Sequence, residues 1–297
     1  MCVRHLFCKS PVLLFNRDDL LAATNHEFQK KNILVTGAGR GIGKRFALGF
    51  AKLGARIALV GRSKAEIDLT HLEIEQAGGN AVRVLADVTD PEQLTLAVNR
   101  AGVAFGTPID VLICAAGIPG PLNSFLNTPL NTWVEALHIN LLGVVHSCRA
   151  VLPSMVERRT GKIIVLTCES DTQPKMGFSA YAASKTAAVR FVESIAAEVI
   201  DHNVQVNCFD PGPAYTSLTD EIIRAEDRLE MPVVSAAKDT RRTGGVSAEL
   251  QLAHAAFLAS EQSNHLTGKL IHVTDDWQKL RNATLRPDAL TLRRVNK

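Results

Sequence analysis

An α/β fold is what this sequence predicts: a single doubly wound domain, with a seven-stranded parallel sheet and helices on both faces. Three observations carry that prediction. From residue 32 onward, short apolar runs rich in β-branched residues alternate with longer stretches of helical period. The short runs are near-continuously hydrophobic, as parallel strands covered on both faces require; a half-exposed strand would alternate. The pattern continues with no shift in composition, so one domain accounts for it.

The elements follow in order. The first strand is NILVTG (32–37), and the glycine-rich turn after it opens a helix at about 41–54. RIALVG (56–61) precedes a helix at about 63–77, and AVRVLADV (81–88) precedes one at about 91–104. VLICAAG (111–117) leads to the longest helical stretch, 129–157. KIIVLTC (162–168) is followed by a helix at 179–201. VQVNCFD (204–210) runs into a long connection and then a helix at 247–259, and KLIHVT (269–274) closes the sheet.

Three segments fall outside this alternation. Residues 1–30 form an N-terminal extension ahead of the 31–275 domain, and residues 276–297 form a tail carrying Lys279, Arg281, Arg286, Arg293, Arg294 and Lys297. The tail reads as solvated or packed against another subunit. The third is the connection 216–245, placed to act as a lid near 214–245, since a connection this long in a compact domain is usually functional. Within it, DEIIRAEDRLEM has the pattern of a short amphipathic helix.

Composition narrows the function classes. The 297 residues suffice for a full core. Lys+Arg 33 against Asp+Glu 30 leaves +3, too slight an excess for a nucleic-acid partner. The six cysteines (Cys2, Cys8, Cys114, Cys148, Cys168, Cys208) show no CxxC, and the nine histidines form no HExxH or HxxxH. Reduced thiols, no disulfide framework and no metal are expected. Near the N-terminus the longest apolar run, PVLLF, is too short for a signal-peptide core, and Asp18 and Asp19 count against a basic transit segment. No 18-residue apolar stretch stands out, so a cytoplasmic protein with no membrane partner is expected.

The turn TGAGRGIG, residues 36–43, lies between a strand and a helix. Gly37, Gly41 and Gly43 let the backbone turn tightly and bring amide N–H groups close to a pyrophosphate at the positive helix end. That context predicts dinucleotide binding. An NAD site usually places an acid about 20 residues on, for the ribose 2′-hydroxyl. Here Gly61 stands at the strand end, followed by Arg62 and Ser63, and no acidic residue lies between Glu27 and Glu66. Arg40 lies inside the turn itself. A guanidinium can fork onto a 2′-phosphate that an acid would repel, so Arg40, Arg62 and Ser63 favour NADP(H) over NAD(H).

The stretch YAASK, Tyr181 to Lys185, places a phenol and an ammonium one helical turn apart. Together with TGAGRGIG on one α/β domain, it resembles the short-chain dehydrogenase/reductase family over roughly residues 31–275. The resemblance implies a Rossmann-like domain and extends the cofactor-contact set to Gly39, Ile42, Asp87 near the adenine, Val88, and Ala115, Ala116 and Gly117 of CAAG. CAAG stands where the family has Asn-Asn-Ala-Gly. DPGPAYT resembles the segment that seats the nicotinamide, which carries over to Pro211, Gly212 and Thr216. Asn140 in HINLLG matches the helix asparagine of the catalytic set, expected to hold a water linking Lys185 to solvent. Late in the chain, LTGKLIHV matches the approach to the last strand. Tyr181 is then the acid/base for a carbonyl–alcohol interconversion. A free phenol, with pKa about 10, is a poor base at neutral pH, and an adjacent cation favours the phenolate.

One departure stands out. The family's serine, 13 residues before the tyrosine, is Cys168 here. A thiol is a weaker donor. Ser170 shares its alternation face and is the expected substitute, while Thr167 is expected on the opposite face. Cys168 also motivates a second reading, an NADP(H)-binding sensor or scaffold with weak catalysis. A small carbonyl or alcohol substrate is expected against Ile118, Pro119, Met176 and Phe178. The resemblance further implies a homodimer or homotetramer through the helices of 129–157 and 179–201.

Overall fold

The computed structural model describes residues 27–168 and 174–293. Its seven strands are β1 (Asn32–Thr36), β2 (Arg56–Gly61), β3 (Asn80–Leu85), β4 (Val111–Cys114), β5 (Gly161–Leu166), β6 (Val204–Asp210) and β7 (Leu270–His272). All pair in parallel, in the order β3-β2-β1-β4-β5-β6-β7. The predicted doubly wound, Rossmann-like α/β sheet is the one observed.

Helices cover both faces. On one side lie α1 (Gly41–Lys52), α2 (Lys64–Gln76) and, late in the chain, α9 (Ala248–Ala259); on the other lie α3 (Pro91–Phe105), α5 (Gly143–Arg158) and α6 (Ser179–Val199). Ile33 and Val35 of β1 enter the first core, with Phe46, Phe50, Phe209 and Phe257, while Leu34 enters the second, with Leu112, Ile163 and Val206. Burial on both sides is why these strands read as continuous apolar runs.

Most observed strands stop short of the apolar runs at their C-terminal ends. β4 ends at Cys114 rather than 117, β5 at Leu166 rather than 168, and β3 at Leu85 rather than 88. The next amides after β3 and β5 still bond the neighbouring strands, Ala86 N to Gly61 O at 3.2 Å and Thr167 N to Phe209 O at 2.9 Å, whereas those after β4 turn to a side chain. The N–H groups of Ala115 and Ala116, for example, donate to Thr36 Oγ1 at 3.2 and 3.3 Å.

The 129–157 helix is three pieces on one axis: α4 (Leu130–Leu137), a π turn His138–Leu142, and α5. Taken together, Leu130–Arg158 is long and apolar enough to cross a bilayer by length and composition, contrary to the expectation that no such stretch exists. Its Ala136, Val144, Cys148, Val151 and Met155 are buried within the domain, as a core helix requires.

Both flanking boundaries move. The 1–30 extension gives up its last residues to the domain: Phe28 is fully buried edge-on to Phe50 at 5.2 Å, and Glu27 Oε1 accepts from the Glu261 amide at 2.6 Å. The 276–297 tail touches its own domain at several points, while its charged side chains such as Lys279 and Arg286 stay in solvent. Trp277, opening α10 (Trp277–Leu280), is buried beside Phe257. The Leu270 amide donates to the Leu290 carbonyl at 2.7 Å, and Lys269 Nζ donates to the carbonyls of Pro287 and Ala289 at 2.8 and 3.0 Å. The open edge of β7 is thereby covered, which protects an otherwise unpaired strand.

The 216–245 connection contains two helices where one was expected. α7 (Ser217–Arg224) starts earlier than DEIIRAEDRLEM because Thr216 and Thr219 form a reciprocal cap. It ends before Glu226, and α8 (Met231–Thr243) begins with Pro232 in its first turn, a position that suits proline and blocks a helix arriving from upstream. The two ends of this connection are joined: Tyr215 N donates to Gly244 O at 3.1 Å and Val246 N to Pro213 O at 2.7 Å.

Candidate active site

The strand order reverses between β1 and β4, and ligands of open α/β sheets bind outside the carboxyl ends of the strands at such a switch point. A cleft of about 480 Å³ lies there, walled by the glycine turn, the ends of β2 to β6, α6 and the start of α7.

The turn is built by exclusion of side chains. Gly37 has φ +67°, and a Cβ on it would lie 2.8 Å from Ala116 Cα; a Cβ on Gly43 would lie 2.3 Å from the Gly37 carbonyl oxygen. Only glycine lets the turn, the end of β4 and α1 close together this tightly. Arg40 enters α1 in extended conformation, with no side-chain cap and no acid in the helix's first turn. The first amides of α1 are left for an anion, so this cradle fits the pyrophosphate of a dinucleotide.

At the next end of the cleft, charges are paired. Arg40 Nη1 lies 3.6 Å from Glu66 Oε1, and Arg62 Nη1 donates to Asp87 Oδ2 at 3.3 Å. Ser63 caps α2, its Oγ accepting from the Glu66 amide at 3.3 Å. Asp87 Oδ1 accepts from the Thr89 amide and hydroxyl at 2.9 and 2.8 Å. Burial pushes the Asp87 carboxyl up, but the Thr89 donors and the Arg62 charge outweigh it and hold the group below the usual carboxylate range.

At the opposite end, Tyr181 and Lys185 line the same cleft from α6. Lys185 is buried; its Nζ donates to the Leu166 carbonyl at 2.7 Å and sits 5.9 Å from the Tyr181 ring centroid. A Cβ on Gly117 would come within 3.1 Å of Asn140 Oδ1 and 3.8 Å of that Nζ, so this glycine keeps the approach open. Asn140 is fully buried in the π turn, a distortion frequent at functional sites. Its Oδ1 accepts from Ile118 N at 2.9 Å, and its Nδ2 donates to Ile118 O at 2.9 Å and Ser184 Oγ at 3.0 Å. The amide thus spends its bonds on pinning the loop after β4, a duty the sequence reading had not assigned to it.

The cleft lining includes the predicted Gly37, Gly39, Arg40, Gly41, Ile42, Gly43, Arg62, Ser63, Asp87, Val88, Ala115, Ala116, Gly117, Pro211 and Thr216, with Ile118 and Pro119. Gly212 lies behind it, in a turn held by Asp210 Oδ1 at 2.8 Å. Phe178 is buried against Tyr181 with Leu122, Ile222 and Leu229, whereas Met176 is 64% exposed, outside the lining. Thr167, expected on the far side of its strand, lines the cleft, and Cys168 does not. The Thr167 amide still bonds to β6, donating to the Phe209 carbonyl at 2.9 Å. Thr167 Oγ1 is buried with no hydrogen-bond partner among the described residues. Ser170 lies outside the described residues.

Sequence reasoning missed Glu66, Thr36 and Asp210. The signal for Glu66 was its place in the first turn of the helix after Arg62; the other two are strand-end polar residues inside motifs already quoted.

Comparison with known proteins agrees with this geometry. A family model described as short chain dehydrogenase matches residues 31–227. The chain is 30% identical over 247 residues to 3-oxoacyl-[acyl-carrier-protein] reductase of Salmonella typhimurium, covering 83% of this chain and 96% of that protein. It is 34% identical over 243 residues to galactitol 2-dehydrogenase (L-tagatose-forming) of Cereibacter sphaeroides, covering 80% and 91%. Among solved structures, NAD+-bound xylitol dehydrogenase aligns with TM-score 0.76 at 26% identity over 83% of this chain and 98% of that one. A variant of actinorhodin polyketide ketoreductase with NADPH aligns with TM-score 0.76 at 26% identity over 86% and 98%.

Proposed function

The chain belongs to the short-chain dehydrogenase/reductase family, an oxidoreductase family acting on alcohol and ketone groups, and from that premise we propose an NADP(H)-dependent carbonyl reductase or alcohol dehydrogenase in which Tyr181 moves the proton. The observation that carries this reading is the sharing of one cleft by the glycine turn at one end and Tyr181 with Lys185 at the other.

A bound nicotinamide supplies or accepts the hydride. The protein's own residues do the rest. The amides at the start of α1 hold the pyrophosphate, and Arg40, Arg62 and Ser63 bind a 2′-phosphate. In the reducing direction the Tyr181 hydroxyl gives its proton to the carbonyl oxygen as that oxygen becomes an alkoxide, leaving phenolate and alcohol. In the oxidising direction the phenolate takes the alcohol proton back. The Lys185 ammonium stabilises the phenolate in both directions, and the Leu166 carbonyl keeps that ammonium at its post. Asn140 is a positioning residue, holding Ile118 and Ser184 so that the cleft keeps its shape.

NADP(H) is preferred here because both guanidiniums sit at the ribose end and no acid occupies the end of β2. Exposed Leu130, Val134 and Leu142 on the α4–α5 face support self-association through that face. The second reading, a cofactor-binding sensor, is favoured by Cys168 alone. NADPH and NADH oxidation with a ketone panel tests the proposal: turnover that Tyr181→Phe abolishes supports it, and tight cofactor binding without turnover, unchanged in Cys168→Ser, supports the sensor.

A further inference from the structure

We infer that Glu66 sets how strongly this protein discriminates between the two nicotinamide dinucleotides, by sharing its carboxylate between Arg40 and the adenosine ribose. This rests on the reading of the cleft as a dinucleotide site and adds a residue that the glycine-turn and strand-end pattern does not contain.

The placement is specific. Glu66 follows Arg62 by four residues, so in sequence it lies past the position where a ribose-binding acid is sought. The first turn of α2 folds it back: a Cβ on Gly39 would sit 2.8 Å from Glu66 Cβ, so only the glycine lets this carboxylate lie against the phosphate-binding turn. Its Oε1 faces Arg40 Nη1 at 3.6 Å, and both residues line the cleft. The backbone beneath it is fixed by the Ser63 cap. The other ribose-end pair differs, because Asp87 already spends Oδ1 on Thr89 and is the less exposed partner, 28% against 40% for Glu66.

Two ligands should meet this arrangement differently. A free 2′-hydroxyl is a neutral donor, and an acceptor-only carboxylate that is accessible and unsaturated is its natural partner. A 2′-phosphate is a dianion with strong acceptors. It draws Arg40 into a charge-assisted contact, which an exposed ion pair worth little cannot prevent. Glu66 is then left as an unpaired negative charge beside the phosphate, and the affinity is reduced accordingly. The carboxylate therefore supports NADH and tempers NADPH, and its removal changes the two affinities in opposite directions.

Dissociation constants for NADPH and NADH, read from nicotinamide fluorescence with the full chain, test this in the parent, Glu66→Gln and Arg40→Gln. Glu66→Gln keeps the size of the side chain and the backbone amide that Ser63 caps. It is expected to tighten NADPH by roughly 3- to 30-fold and to weaken NADH several-fold, in line with the modest worth of exposed charge contacts. Arg40→Gln is expected to weaken NADPH by about tenfold and to leave NADH within about twofold. Equal shifts of both constants in Glu66→Gln, or none, with both dinucleotides still bound by the parent, overturn the role of Glu66 and leave the dinucleotide reading intact. Failure of the parent to bind either dinucleotide overturns both.

Discussion

The ammonium of Lys185 donates to the backbone carbonyl of Leu166 at 2.7 Å, tying the helix that carries Tyr181 and Lys185 to the last residue of β5. The bond is buried and charge-assisted, so it holds a flexible side chain at one place on the cleft wall. The next residue, Thr167, lines the same cleft.

Lys185→Met removes the cation beside the phenol. It is expected to lower kcat by about 10²-fold or more, the scale of a lost general acid–base partner. Steady-state rates with the best ketone substrate check this. A variant retaining the parent rate would show that the ammonium serves only as a tether.

Asn140→Ala leaves Ile118 without either of its side-chain partners and Ser184 without the amide donor. Unsatisfied buried groups cost about 1–3 kcal/mol each, so a loss of roughly 2–4 kcal/mol in urea denaturation is expected, with kcat reduced as the loop after β4 loosens. Unchanged stability would contradict the pinning role.

Thr167→Val removes a hydroxyl that has no partner among the described residues while keeping the side chain's shape. Stability is expected to rise by about 1 kcal/mol, since an unmatched buried polar group is a cost to the fold. The readout is the denaturation midpoint at unchanged slope. A lower midpoint would mean that the hydroxyl is satisfied in solution.

Lys162, at the other end of β5, is a buried ammonium bonded to Ser263 Oγ at 3.2 Å and Asn264 Oδ1 at 2.6 Å. Burial pushes its pKa down to about 7, against the pull of Glu27 and Glu261. In the unfolded chain a lysine titrates near 10.4. Between those values the unfolded state binds more protons, so this group's contribution to stability rises with pH above 7 and is lost as pH falls through 7. A rise of order 1–3 kcal/mol between pH 7 and 9 is expected relative to Lys162→Met. Parallel pH profiles of parent and variant would contradict the assignment.

Much of this was readable before any coordinates. Strands buried on both faces write themselves as continuous apolar runs, which is why β1, β2 and β6 were placed to within a residue. The glycine turn and YAASK were legible because their chemistry is local, set by positive φ, close backbone approach and one helical turn. What was not legible depends on where the chain goes after a strand ends. Period-two alternation does not announce that Thr167 reaches the cleft wall. Glu66 was passed over because its distance in sequence from the glycine turn hides its contact with Gly39. The split of the 216–245 connection into two helices and the contacts of the tail are tertiary outcomes, fixed by Pro232 and by the open edge of β7, and no periodicity announces them.

The most direct measurement is single-turnover oxidation of bound NADPH with a ketone, compared between the parent and Tyr181→Phe, with the NADPH dissociation constant measured alongside. Proton donation by Tyr181 predicts a rate lower by about 10²-fold or more in the variant, at an affinity within a few-fold of the parent's. Equal rates in the two proteins would contradict it.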